Sequence, residues 1–362
     1  MTTADLLFQR RQSAYQRFAC NWHTARLDRV MNRTAKLALI CLALCSPASL
    51  HAQDQPPPAD PLTAQIDTQD AERFVALWNK TGGHPNAAQL DAEYIAGSGT
   101  GVRLFVPLRK LTGSSIAAAI AAHPDWYGDA VAKCLPWVAA STPDLRAIYL
   151  GLHGLLPERP LPQIYMLVGR GNTGGTAAPG AQLLGLEVLC REARTPIAFR
   201  AELRSFFAHE TAHTFQTMTD TPGQIAEPLL TQILAEGVAD YVAQLVTGEV
   251  PDVAREAYGH AHERELWAQF TKDRAEANLN YSETSGFTPA GKGALGHWLY
   301  NGSRGRLDGW ERDMGYWLGA QIAAAYVEHA LDRHAAIREL LAPEDPAQIL
   351  LKSRYADRFA KP

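Results

Sequence analysis

Residues 206–216 read Phe-Phe-Ala-His-Glu-Thr-Ala-His-Thr-Phe-Gln. On an α-helix, positions i and i+4 share a face, so His209 and His213 project the same way. Two imidazoles so placed can grip one zinc ion, with Glu210 beside them to take a proton from the water of such a site. The stretch therefore asks for a helix here and for a second element that brings the remaining ligand.

A second segment answers that demand. Residues 234–243 read Leu-Ala-Glu-Gly-Val-Ala-Asp-Tyr-Val-Ala, inside an apolar helical run. One face of this helix carries Ile233, Glu236 and Asp240. Burying an unpaired carboxylate is costly, and two neighbouring ones repel. A metal together with a histidine N–H would neutralise both. Glu236 is thus the candidate third ligand. Asp240, one turn further on, is the candidate acceptor for the far nitrogen of a ligand imidazole, with His209 the expected partner. Gly237 removes a side chain where two helices would have to approach closely.

His-Glu-x-x-His followed some twenty residues later by Glu-x-x-x-Asp resembles the gluzincin metallopeptidases, the thermolysin-like group. Ala-Glu-Gly-Val-Ala-Asp-Tyr, at 235–241, resembles a helix of bacterial families of predicted zinc-dependent proteases. Met314-Gly-Tyr-Trp-Leu-Gly, continuing to Tyr326, resembles their Gly-Tyr helix. The resemblance spans roughly residues 160–330. It implies one zinc ion held by His209, His213 and Glu236, with Glu210 as general base and Asp240 behind a ligand. It also implies a peptide or protein substrate. The Gly-Ala-Met-Glu-Asn signature of the aminopeptidase gluzincins is missing from this chain. Two other readings fit the same residues: a zinc hydrolase of a non-peptide amide, and a binding module that keeps a silent metal site.

Tyr316 and His297 are further candidates. The phenol of Tyr316 could donate to a developing oxyanion, or the ring could simply pack beside Trp317 and Tyr326. His297 precedes the Gly-Tyr helix and could reach the site, or serve packing alone. The other histidines have no ligand-like partners in sequence.

The first 52 residues read as a leader. Within it, 31–52 has the order of a signal peptide: the basic Met31-Asn-Arg-Thr-Ala-Lys36, an apolar run from Leu37 to Cys45, and small residues ending at Ala52. Such a run is too short for a stable membrane span. Met31 is the expected true start, and Leu44 departs from the small residue that precedes a lipoprotein cysteine. A periplasmic or secreted protein is expected. The chain holds 34 Lys/Arg and 38 Asp/Glu, of which the leader takes seven and two, leaving a net charge of −9. That balance argues against nucleic acid or an anionic membrane as partner. Of five cysteines, Cys134 and Cys190 remain after the leader, either paired or as two buried thiols.

The mature chain divides into a Pro-rich linker at 53–65, an N-terminal helical region at 66–160 and a zincin-like catalytic region at 161–362. Residues 69–80 form an amphipathic helix stopped by Gly82-Gly83, and two or three more helices follow over 113–156. Strands are expected at 163–168 and 183–190, joined as a hairpin by a Gly-rich loop. That loop contains Gly169-Arg-Gly-Asn-Thr-Gly174, which matches Gly-x-Gly-x-x-Gly. A dinucleotide site is rejected because no helix start follows. From about residue 199 the pattern is helical to the C-terminus. The expected fold is α+β: a mostly helical zincin-like domain with a small sheet packed on the active-site helix. In thermolysin-like enzymes a strand edge runs beside the zinc and pairs with substrate backbone, so the resemblance makes this hairpin the candidate for that edge; a structural hairpin without substrate contact is the alternative.

Overall fold

Thr195 and Pro196 start the helix that carries the quoted motif: the threonine hydroxyl accepts from the amide of Ala198, and Pro196 sits where no amide is needed. The structure, a computed structural model, describes residues 55–301 and 309–360. The expected leader at 1–52 lies outside the described residues.

In chain order the principal elements are β1 (Ile66–Asp67), α1 (Gln69–Lys80), α2 (Thr100–Arg109), α3 (Gly113–Ala122), α4 (Thr142–Leu155), β2 (Gln163–Leu167), β3 (Gly175–Ala178), β4 (Ala181–Gly185), α5 (Leu186–Glu192) and α6 (Pro196–Phe215). They continue with α7 (Pro228–Thr247), α8 (Val253–Leu279), β5 (Tyr281–Ser282), β6 (Gly286–Phe287), α9 (Pro289–Trp298), α10 (Met314–His329), α11 (Arg333–Leu341) and α12 (Pro346–Ser353). Among the described residues the fold is mostly helical, with a four-stranded sheet and a separate two-stranded one. Among the described residues, no single helix is long and apolar enough to cross a membrane.

The sheet order is β1-β2-β4-β3. Here the expected hairpin is corrected. β2 and β4 run parallel, and β3 returns antiparallel to β4 through a turn at Gly180, whose φ is +65°. The Gly-rich loop thus ends in a strand, which becomes the sheet edge. The expected strand over 183–190 is also divided. It pairs only as far as Gly185, and residues 186–192 are helical. Both halves are buried, and a continuous apolar run does not separate strand from helix by periodicity. The hairpin of β5 and β6 likewise interrupts the helical C-terminal half.

The two expected regions, 66–160 and 161–362, share one sheet and one core. β1 pairs with β2, and a disulfide joins Cys134 to Cys190 with Cα atoms 5.8 Å apart. The described part of the Pro-rich linker is laid against β2: Ala59 N–H donates to Leu161, and Gln163 donates to the Pro57 carbonyl. The sheet packs on α6, where buried Gln182 of β4 donates to the Phe206 carbonyl. On its other side α6 meets α7, which packs in turn against α10. The α7–α10 crossing is backbone on backbone. A Cβ at Gly237 would lie 2.3 Å from Gly319, so the glycine is required by this approach.

Candidate metal centre and active-site cleft

α6 and α7 each deliver their site residues on one helical face. Phe199, Leu203 and Phe207 bury the side of α6 that packs inward, and this rotation sets His209 and His213 toward α7. On α7 almost every residue from Leu229 to Ala239 is buried, so Glu236 and Asp240 are held inside the protein rather than in water.

The three candidate ligands converge. Glu236 Oε2 lies 3.2 Å from His213 Nε2 and 3.6 Å from His209 Nε2, and the two Nε2 atoms are 3.0 Å apart. Their ligand atoms all fall within 4.8 Å of one another, so His209, His213 and Glu236 form a group that could hold a metal ion. The far nitrogens are engaged. His209 Nδ1 is 2.7 Å from Asp240 Oδ1, and His213 Nδ1 is 2.8 Å from Gln216 Oε1. Because both acceptors lie on the Nδ1 side, the lone pairs of both rings are left on Nε2, toward the common point. Two imidazole nitrogens and one carboxylate oxygen, oriented from behind, are a donor set that could hold a divalent metal ion.

Electrostatics agree with that geometry. Burial alone would lower the His209 pKa, but the carboxylates of Asp240 and Glu236 outweigh it and hold the ring up at about 10. His213 is raised in the same way, with Glu236 as the main opposing charge. Glu236 would be raised by burial, yet the two imidazoles beside it pull it well below the usual carboxylate range. The cluster is an anionic pocket that draws in positive charge; without a metal, protons fill that role.

Asp240 is itself anchored. Its second oxygen accepts from Arg255 of α8 at 2.5 Å. The Arg255 guanidinium also lies 4.8 Å above the Tyr316 ring, and that ring stacks on His209 at 5.8 Å. One arginine thus supports the imidazole from two directions. Tyr316 lines the cleft, and burial together with the Glu236 charge pushes its phenol well up, so it stays protonated.

The cleft in front of the three candidate ligands has a volume of about 470 Å³, within the range of small-molecule sites. Glu210 opens onto it from α6, and residues 172–176 line it beside Glu210. There β3 comes so close that a Cβ at Gly175 would sit 2.9 Å from Glu210 Oε1 and 2.7 Å from Phe206. The sheet edge therefore runs beside the motif helix. Glu187 of α5 holds the loop leading into β3 by accepting from the amides of Gly169 and Gly171. Gly171, at φ +77°, belongs to this cradle and not to a nucleotide site.

Among the described residues, His297 does not line the cleft. Its Nδ1 pairs with Asp273 at 3.1 Å, beside Trp298, on the contact of α8 with α9. Three residues of the site were missed by sequence reasoning. Gln216 stands three positions beyond His213, a spacing that could have marked it. Arg255 and Tyr300 reach the site from separate helices and loops, and no local pattern announces them. No family model matches the chain, and neither a curated protein nor a solved structure does.

Proposed function

We propose that this protein is an exported zinc metallopeptidase. The observation that carries the reading is the convergence of His209, His213 and Glu236 in a cleft that also holds Glu210 and the edge strand β3. Zinc bound by these three residues would supply a Lewis acid that polarises a carbonyl and lowers the pKa of a water.

The chain's own residues perform the rest. The free edge of β3 pairs with an extended substrate backbone and sets the scissile carbonyl before the ligands. Glu210 accepts the proton of the attacking water and delivers it to the leaving amine. Tyr316, neutral at working pH, donates a hydrogen bond to the oxygen that gains charge. The leader pattern at 1–52 supports a site of action outside the cytoplasm, in the periplasm or beyond.

A mixed peptide library incubated with the purified protein tests the reading. Cleavage that a chelator stops and zinc restores is expected, together with loss of turnover and retention of metal in Glu210→Gln. Bound zinc without cleavage of any peptide would remove the peptidase assignment.

A further inference from the structure

Tyr300 stands in the cleft with its phenol oxygen 2.8 Å from Glu236 Oε1. The other oxygen of that carboxylate, Oε2, is the one that faces both imidazoles. The phenol has a single proton to give. Gln232 Oε1 is 3.4 Å away, so the shorter contact to the charged acceptor takes it.

The backbone beneath this contact is unusual. Tyr300 has φ +59°, the left-handed region that an aromatic residue rarely enters. It is held there by its neighbour. The Asn301 amide donates to Asp313 Oδ1, the Asp313 amide donates to Asn301 Oδ1, each at 2.9 Å, and the buried Asn301 side chain also donates to the Gly296 and His297 carbonyls. Tyr300 is 44% exposed. A strained backbone that presents a half-exposed aromatic side chain to a buried carboxylate is a mark of a working site.

We infer that Tyr300 is a positioning residue for Glu236: its O–H occupies Oε1 and thereby commits Oε2 to the metal. The inference rests on the reading of His209, His213 and Glu236 as ligands. A carboxylate ligand with one oxygen tied by a hydrogen bond binds through the other, and a ligand oriented from behind holds its metal more tightly.

The test is Tyr300→Phe in the full chain, which keeps the ring and deletes the hydroxyl. Zinc affinity is measured by competition with a chelator, and the site's geometry by the visible spectrum after loading with Co²⁺. The expected result is unchanged thermal unfolding of the metal-free protein, roughly tenfold weaker zinc binding, and an altered Co²⁺ spectrum as Glu236 rearranges. Equal zinc affinity and an identical Co²⁺ spectrum in the two proteins would overturn the role of Tyr300 and leave the metal site standing. A wild-type protein that binds neither ion would overturn the metal-site reading, and this inference with it.

Discussion

Asp240 Oδ1 lies 2.7 Å from His209 Nδ1, across the gap between α7 and α6. A carboxylate only accepts, so Nδ1 carries the proton and Nε2 turns its lone pair inward, toward Glu236 and His213. The pair is closed on its far side by Arg255, which keeps Asp240 from standing as an uncompensated buried charge.

Three substitutions should separate the roles around this contact. Asp240→Asn keeps shape and an acceptor but loses charge, and a loss of roughly 10- to 100-fold in metal affinity or activity is expected. Glu236→Gln replaces the anionic oxygen of the candidate ligand with a neutral one and should cost more metal. Glu210→Gln should keep the metal and lose turnover. Metal content and peptide cleavage measured side by side check the order. Equal loss of metal in Asp240→Asn and Glu236→Gln would contradict it.

Arg255 should be coupled to Asp240 rather than independent of it. Arg255→Met removes both the ion pair and the cation over Tyr316, and a fall of roughly tenfold in metal affinity is expected. In the double variant with Asp240→Asn the two effects should fall short of their sum, because residues in one network are not additive. A double-mutant cycle on zinc affinity reads the coupling, and simple additivity would refute it.

Gly175→Ala should damage catalysis without touching the ligands. The new Cβ meets Glu210 Oε1 at 2.9 Å and the Phe206 ring at 2.7 Å, and the flexible carboxylate is what can give way. A displaced base costs roughly 10²-fold in rate for a shift on the order of 1 Å. Zinc titration of the variant should match the wild type while kcat/KM falls; a parallel loss of zinc would place the damage elsewhere.

Asp144, in the first turn of α4, pairs with both Arg200 and Arg204 at i and i+4 on the motif helix. Burial alone would raise its pKa, but the two guanidinium groups outweigh burial and hold it below 3.8. A depressed carboxyl contributes stability that is present above its unfolded pKa, about 3.9, and is lost as pH falls through the lower folded value. Asp144→Asn should therefore destabilise by roughly 1 kcal/mol at neutral pH, a modest figure because Arg200 is half exposed. The difference from wild type should hold steady above about pH 5 and shrink below about pH 4. Urea unfolding across that range checks it, and a difference independent of pH would refute it.

Local pattern was enough for much of this molecule. The i, i+4 spacing of His209 and His213, and of Glu236 and Asp240, defines a helix face without reference to anything else in the chain. Helix α1, residues 69–80, follows from its amphipathic period and the glycines behind it, and Gly237 reads as a close approach because a missing Cβ has few other uses. Tertiary structure decided what depends on distant partners. The apolar run at 183–190 becomes strand and then helix, with the buried Glu187 reaching back to the amides of Gly169 and Gly171. β3 becomes the edge beside Glu210 through pairing with β4. Cys134 meets Cys190 across 56 residues, Arg255 and Tyr300 arrive from separate segments, and His297 turns to Asp273 instead of the cleft. The division has one physical cause. Periodicity along a helix is written in adjacent residues, whereas strand partners, ion pairs and the direction of a side chain are settled by which surfaces the folded core brings into contact.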